Sequence, residues 1–281
     1  MSRKLSVAVI QMAMGDDVHE NVARAGQLAS EAAQAGAQVV LPPELFAGRY
    51  FPAHPERDAS ALCQPPERSE PVQAMRVLAA ALGVVIPVSY YERDGERRYN
   101  SLLVWGPDGE ELGRYRKSHI PDGEGYEEKR FFDAGDTGFR VFDTPFGRLG
   151  AAICWDQWFP ECARAMALSG AELLLYPSAI GSEPGRPELD TAAPWRRVMV
   201  GHAVANTIPV AASNRVGDEE GQHFFGTSFI CDGYGEIVAE CDRQQEGFAL
   251  TTFDLDHWAK ERDFMGLHRD RRPDLYGPLA R

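Results

Sequence analysis

Long apolar runs and an excess of positive charge are both missing from this chain of 281 residues. No stretch approaches the roughly 20 apolar residues that a membrane-spanning helix needs, so we expect no membrane partner. Lys and Arg number 29 against 42 Asp and Glu, which gives a formal net charge of −13. Because a phosphate backbone attracts concentrated Lys and Arg, this balance argues against nucleic-acid binding and favours a cationic small-molecule substrate.

Cysteine is scarce, and the five cysteines are scattered along the chain: Cys63, Cys154, Cys162, Cys231 and Cys241. An odd, widely spaced set argues against a disulfide framework, and the N-terminal "SVAVIQM" is too short for the apolar part of a signal peptide. We therefore expect a cytoplasmic protein. Neither the cysteines nor the seven histidines form a CxxC, HxH or HExxH pair. The sequence thus predicts no metal, and no other cofactor is expected.

The chain has no internal repeat and no long Pro/Gly/Ser linker, so we predict one domain over residues 1–281. The first strand is predicted in "LSVAVIQM". A helix follows in "DDVHENVARAGQLASEAAQAGAQ", with Asp17 as its N-cap and Glu20 at the spacing of a capping box. The next segment, "AQVVLPPELF", has the continuous apolar pattern of a buried strand and is stopped by Pro42 and Pro43.

The remaining chain continues to alternate between helices and strands. A helix in "EPVQAMRVLAAALG" precedes three strands whose "RDGE" and "PDGE" turns predict hairpins. Another hairpin is predicted in "GFRVFDTPFGRLGAAIC", followed by a helix from about Pro160 to Ser169 and the strand "AELLLYPSA". A further helix near "PWRRVMVGHAVANT", the strand "PVAASN" and a hairpin around "DGYG" complete the pattern. This order predicts an α/β fold in which a pair of mixed sheets is covered by helices.

Three polar residues follow predicted strands: Glu44 after "VVLPP", Lys117 after "GRYR" and Cys154 after "GAAI". Ligand sites of open α/β sheets lie beyond strand ends, so the three side chains are expected in one crevice. A carboxylate can deprotonate a thiol, and an ammonium group can stabilise both the thiolate and a tetrahedral oxyanion. These three groups suffice for acyl transfer without histidine.

A simpler interpretation of each residue stays open at this point. A lone buried cysteine is usually a small hydrophobic core residue. Glutamate and lysine are usually solvated surface charges. Composition and spacing do not decide between these interpretations and catalysis.

Four motifs in order, "LPPELF", "GRYRKSHIP", "GYEEKRFFDAGD" and "GAAICWDQWFPE", resemble the nitrilase superfamily of carbon–nitrogen hydrolases. The resemblance spans nearly the whole chain and implies a four-layer α-β-β-α sandwich. It implies Glu44 as general base, Lys117 as the cation that stabilises the oxyanion, and Cys154 as nucleophile. It also implies Glu128 as a second carboxylate that holds Lys117 and helps to position the substrate, while the adjacent Glu127 is expected to face solvent.

Within the superfamily, "RKSHIPDGEGYEEKRFF", "CWDQWFPE" and "YPSAIGSEP" are most similar to members that hydrolyse a carbamoylated diamine. Many relatives with carboxylate-bearing substrates carry arginine four residues after the nucleophile, where this chain has Trp158. Glu183 matches the carboxylate that receives the distal amine. Its alternative interpretation is a loop glutamate paired with Arg186.

Other residues near the motifs have two interpretations each. The resemblance implies that Trp155 lends its backbone N–H to the oxyanion hole. Tyr126 and Trp158 are candidates for the wall of an aliphatic tunnel, with core or interface packing as the alternative. His119 suggests a Cys–His pair, but the superfamily completes its chemistry without it, so a supporting hydrogen bond explains the residue as well.

The implied activity is a thiol-dependent amidohydrolase that releases a diamine, carbon dioxide and ammonia. The resemblance also implies a homo-oligomer built from dimers, with residues from about 257 to 281 as an extension at the subunit interface. Three alternatives stay open: another amidase or ureidase acting on a carbamoyl amino acid or ω-amide, an acyl or carbamoyl transferase, and a non-catalytic binding protein on the same scaffold.

Overall fold

The computed structural model describes residues 2–280 and places two β-sheets face to face between layers of helices. The helices are α1 (Val18–Gln34), α2 (Glu70–Leu82), α3 (Pro160–Leu168), α4 (Ala192–Asn206) and α5 (Leu255–Met265). The strands are β1 (Lys4–Gln11), β2 (Val39–Leu41), β3 (Ile86–Asp94), β4 (Arg97–Trp105), β5 (Glu111–Arg116), β6 (Arg140–Thr144), β7 (Gly147–Ala151), β8 (Leu173–Pro177), β9 (Val210–Ser213), β10 (Val216–Glu219), β11 (Gln222–Phe225), β12 (Phe229–Cys231), β13 (Ile237–Glu240) and β14 (Gly247–Asp254).

The first sheet has two parts, with the strand orders β14-β1-β2 and β3-β4-β5. A parallel bridge between Val39 and Val85 joins them. The second sheet has the order β13-β12-β9-β8-β7-β6, in which β7, β8 and β9 are parallel and the outer pairs are antiparallel. The short β10–β11 hairpin stands apart from both. The mixed sheet pair predicted from the sequence is therefore present.

Strand β1 shows how the sequence pattern builds the layers. Its alternate residues Leu5, Val7 and Val9 pack in the core that the two sheets share, whereas Ala8 and Ile10 pack in the core beneath α1 and α2. Successive side chains of a strand point to opposite faces, so a strand buried on both faces is apolar throughout. Helices α3 and α4 pack against β7 and β9 on the far side, which completes the α-β-β-α order.

The predicted helices α1 to α4 are confirmed with bounds within a few residues. The Asp17 carboxylate accepts hydrogen bonds from the backbone N–H groups of His19 (2.7 Å) and Glu20 (3.1 Å), as an N-cap does. The two Asp-Gly hairpins are also confirmed. Their glycines, Gly95 and Gly109, have φ values of 59° and 78°, a conformation that favours glycine.

The sequence prediction does not include the β10–β11 hairpin or helix α5. The β10–β11 hairpin lies in the charged stretch "VGDEEGQHFF", which lacks an apolar alternation long enough to indicate strands. Helix α5 follows β14 directly and buries Leu255 and Trp258 against the core that the sheets share. The segment predicted as an extension, from about residue 257, thus begins inside a helix that contributes to this core. No helix in the part of the chain from 2 to 280 combines the length and apolar character needed to cross a membrane.

Candidate active site

Glu44, Lys117 and Cys154 all lie in the segments that leave strands of the two sheets. Glu44 follows β2, and Lys117 follows the last residue of β5. Cys154 opens a 3₁₀ turn three residues beyond the end of β7. Its φ of 42° lies in the left-handed region, which non-glycine residues seldom adopt and which is found at functional sites. The carboxylate of Asp156 accepts a hydrogen bond from Ile153 N (3.0 Å) and so braces this turn.

The ammonium group of Lys117 lies between two buried carboxylates. Its Nζ is 2.9 Å from Glu44 Oε1 and 2.8 Å from both carboxylate oxygens of Glu128. All three side chains are fully buried. The Tyr50 hydroxyl donates a further hydrogen bond to Glu128 Oε1. The structure thus brings together three of the four residues for which the sequence predicts a catalytic role, and it adds Tyr50.

Burial and charge act in opposite directions within this cluster. Burial raises the pKa of Glu128, Lys117 lowers it, Glu44 raises it, and the net pKa is raised. Burial lowers the pKa of Lys117, but Glu128 and Glu44 raise it to a net value above its ordinary one. Lys117 therefore carries its positive charge at neutral pH.

The two carboxylate oxygens of Glu44 have different surroundings. Oε1 accepts hydrogen bonds from Lys117 Nζ and from Asn100 Nδ2, the latter at 2.7 Å. Oε2 is buried and has no hydrogen-bond partner among residues 2–280. Buried polar atoms normally have a partner, and an orphaned one at a site needs an explanation. Glu44 Oε2 is free to accept a proton from a reacting group.

The Cys154 thiol is almost fully buried, at 4% exposure. Burial raises its pKa, the charge of Glu44 raises it further, and Lys117 lowers it; the net pKa is well above the ordinary value. The thiol is therefore protonated at neutral pH in the free protein. It becomes a strong nucleophile only if a base removes its proton during attack.

A cavity of about 480 Å³ opens onto Cys154 and Glu128. Its wall includes all four residues for which the sequence predicts substrate binding: Tyr126, Trp155, Trp158 and Glu183. The Trp155 and Trp158 rings meet edge to face, with centroids 6.2 Å apart. The buried indole N–H of Trp158 has no acceptor in residues 2–280. The Tyr126 hydroxyl bonds to the backbone at Gly181 and Ser182, so its ring is fixed.

Glu183 is a half-buried carboxylate whose Oε1 accepts a hydrogen bond from Thr191 Oγ1 at 3.2 Å. Burial raises its pKa. No Lys, Arg or His nitrogen in residues 2–280 lies within 4.0 Å of it. The alternative interpretation of Glu183 as the partner of Arg186 is wrong, because the guanidinium of Arg186 pairs with Glu188.

The structure also bears on the expectations for Glu127 and His119. Glu127 was expected to face solvent, but the residue is half-buried. Its Oε2 is shielded from solvent and has no hydrogen-bond partner in residues 2–280. His119 donates from its backbone N (3.0 Å) to Asp156 Oδ1, and its ring Nδ1 is 2.7 Å from the same oxygen. Its ring also stacks on Phe159, with centroids 3.6 Å apart. His119 thus hydrogen-bonds to the turn that carries Cys154, in agreement with its interpretation as a supporting residue.

Sequence reasoning missed four residues that contact the cluster or its backbone: Tyr50, Asn100, Asp156 and Arg215. Of these four, only Asn100 could have been singled out from the sequence, because it is a polar amide within the predicted strand "NSLLVWG". For metals, no group of three or more His, Cys, Asp or Glu side chains between residues 2 and 280 is arranged to hold an ion.

Comparison with known proteins places the chain among hydrolases of carbon–nitrogen bonds. The family model described as "Carbon-nitrogen hydrolase" matches residues 6–263. An N-carbamoylputrescine amidase from Arabidopsis thaliana is 51% identical over 285 aligned residues, covering 99% of this chain and 95% of that protein. A citrullinase from Francisella tularensis is 44% identical, covering 99% of this chain and 98% of that protein.

A solved structure agrees with these sequence matches. A carbon–nitrogen hydrolase from Helicobacter pylori superposes with a TM-score of 0.91 at 33% identity, covering 99% of this chain and 98% of that one. The chain belongs to the carbon–nitrogen hydrolase family, the nitrilase superfamily, and has its fold. It is an amidohydrolase that acts on carbon–nitrogen bonds outside peptides.

Proposed function

We propose that this amidohydrolase hydrolyses N-carbamoylputrescine to putrescine, carbon dioxide and ammonia. One observation carries the proposal: Glu183, a half-buried carboxylate without a cationic partner in residues 2–280, lines the same cavity as the Cys154 thiol. N-carbamoylputrescine carries a ureido group at one end and an ammonium at the other. The 51% identical relative bears the name of this activity.

In the first half of the reaction, Cys154 Sγ attacks the ureido carbon while Glu44 Oε2 takes the thiol proton. Negative charge develops on the ureido oxygen, where the Lys117 ammonium and the backbone N–H of Trp155 stabilise it. The carbon–nitrogen bond to the diamine then breaks. Glu44 returns the proton to the departing nitrogen, putrescine leaves, and a carbamoyl group remains on the sulfur.

In the second half, Glu44 takes a proton from water as its oxygen attacks the carbamoyl carbon. The same two donors stabilise the new oxyanion. The carbon–sulfur bond breaks, the proton on Glu44 returns to the sulfur, and carbamate leaves and decomposes to carbon dioxide and ammonia. Glu128 holds Lys117 in place through both halves, and atoms balance without a cofactor.

Glu183→Gln should weaken selection for the charged substrate. The change removes the negative charge but keeps the side-chain shape, so only a substrate with a distal ammonium loses a charge-assisted hydrogen bond. Such a bond contributes about 1.5–3 kcal/mol, which corresponds to a roughly ten- to hundredfold fall in kcat/KM for N-carbamoylputrescine. An uncharged N-carbamoyl alkylamine of equal length should react with nearly unchanged kcat/KM.

Glu96→Gln is the matched control, because Glu96 is an exposed glutamate of the β3–β4 turn and does not line the cavity. A single exposed charge is screened by solvent, so both substrates should react as with the wild type. If Glu183→Gln leaves the ratio of the two kcat/KM values unchanged, the amine is bound elsewhere or the natural substrate carries none.

A carbamoyl amino acid is the second candidate substrate, because Arg186 lines the same cavity and a relative at 44% identity is named citrullinase. Arg186 is paired with Glu188, however, and four carboxylates line the cavity: Asp122, Glu124, Glu183 and the lysine-paired Glu128. This charge distribution favours an ammonium over a carboxylate. Ammonia release from N-carbamoylputrescine, citrulline and an ω-amide, measured side by side, tests the choice, and an amine acceptor in the same assay reveals any transferase activity.

We also infer a cytoplasmic homo-oligomer built from dimers. Large apolar side chains are exposed on or beside α3, α4 and α5, where a second subunit would cover them: Leu168, Val204, Phe264, Met265 and Leu267. An exposed apolar patch of this kind supports a subunit interface. The five cysteines are unpaired, which supports a reducing compartment.

A further inference from the structure

Asn100 lies within β4, has no exposed surface and contacts two members of the catalytic cluster. Its side-chain Nδ2 donates to Glu44 Oε1 at 2.7 Å. Its backbone oxygen accepts from Lys117 N at 2.9 Å. One strand residue therefore connects the carboxylate that accepts the proton to the lysine that stabilises the oxyanion.

The orientation of the Asn100 amide is set by its other neighbour. Ser89 Oγ donates to Asn100 Oδ1 at 3.4 Å and accepts a hydrogen bond from Leu45 N at 3.1 Å. An amide presents an acceptor on one side and donors on the other. Because Oδ1 faces the serine hydroxyl, the NH₂ group faces Glu44.

The backbone of Glu44 is fixed separately. The buried guanidinium of Arg215 donates from Nη2 to the carbonyl oxygens of Glu44 (2.8 Å) and Leu45 (3.1 Å). The side-chain rotation of Glu44 is then determined by the two donors on Oε1, Asn100 and Lys117. Lys117 is shared with Glu128, whereas within residues 2–280 the only carboxylate to which Asn100 donates a hydrogen bond is Glu44.

We infer that Asn100 is a positioning residue: it holds Glu44 Oε1 so that Oε2 alone exchanges the proton. The inference rests on the proposed role of Glu44 as general base.

Two variants test the inference by separating kcat from KM, because a misplaced base slows proton transfer without altering substrate binding. Asn100→Leu removes the donor at similar size. Asn100→Asp keeps the shape but replaces the NH₂ donor with a carboxylate oxygen, which cannot hold Glu44 Oε1. In both variants kcat should fall by about 10- to 100-fold, whereas KM should stay within about twofold.

Asn206→Leu is the matched control. Asn206 is a buried asparagine at the end of α4, and its Nδ2 donates to His202 O at 2.8 Å. Within residues 2–280 it has no hydrogen bond to the catalytic cluster, so its loss should leave kcat near the wild-type value. Thermal unfolding of all variants identifies any that fail to fold, and the shape-conserving Asn100→Asp carries the test if Asn100→Leu is one of them.

Three outcomes would overturn the inference: an unchanged kcat in a folded Asn100 variant, an equal fall of kcat in Asn206→Leu, or an effect confined to KM. Failure of the proposed function is distinguishable from these. It would appear as wild-type protein that releases no ammonia from N-carbamoylputrescine, whatever the state of Asn100.

Discussion

Cys154→Ala is expected to fold as the wild type does and to lose turnover by about 10⁴-fold or more. No other side chain in the proposed mechanism forms a bond to substrate carbon. Removing one sulfur from a left-handed turn leaves the hydrogen bonds of Asp156 to Ile153 and His119 intact. The oxyanion donors and the cavity also remain, so substrate should still bind. Ammonia release at saturating substrate measures the loss of turnover, and thermal unfolding measures whether the variant folds as the wild type does.

Cys162→Ala is the control for this variant. Cys162 is a fully buried cysteine of α3 that packs in the core, so its removal should lower stability modestly and leave turnover near that of the wild type. Wild-type protein quenched during turnover should carry one carbamoyl group on the peptide that contains Cys154, and Cys154→Ala should carry none. Near-normal activity of Cys154→Ala would refute the covalent mechanism as a whole.

The sequence predicted the site because its principal groups follow strands, and strand ends can be recognised locally. The apolar run before Pro42 and the small residues before Cys154 each mark where a strand stops, and the Asp-Gly turn marks where β5, the strand that leads to Lys117, begins. Four motifs in order then selected one superfamily. Glu183 was distinguished from a surface glutamate only by this resemblance, since its burial depends on the cavity that distant segments form.

The residues that sequence reasoning missed act across large separations along the chain. Tyr50 reaches Glu128, and Arg215 reaches the backbone of Glu44, through contacts that exist only once both sheets are assembled. Asp156 braces the turn that carries Cys154 by accepting from Ile153 N, and the Tyr115 hydroxyl, from a distant strand, donates to the same carboxylate at 2.7 Å. The spacing of residues along the sequence does not indicate such contacts.

Lys117→Ala should lower kcat more than it raises KM, because charge on the ureido oxygen develops only on the way to the tetrahedral state. Loss of one oxyanion donor lowers kcat by about 10²- to 10³-fold. The loss here should reach the upper end or exceed it. Lys117 lowers the pKa of Glu128, so without it Glu128 takes up a proton more readily, and Glu44 loses the contact with Nζ that helps to hold it in place.

Lys129→Ala separates this effect from a general change in charge. Lys129 follows Glu128 directly, but its side chain is 60% exposed and its Nζ is 3.7 Å from Asp122, so the same change in net charge should leave kcat nearly unaltered. Steady-state kinetics of both variants with N-carbamoylputrescine decides the matter. If Lys117→Ala changed only KM, the ammonium would serve substrate binding alone and the oxyanion would have to be stabilised by backbone N–H groups, that of Trp155 first among them.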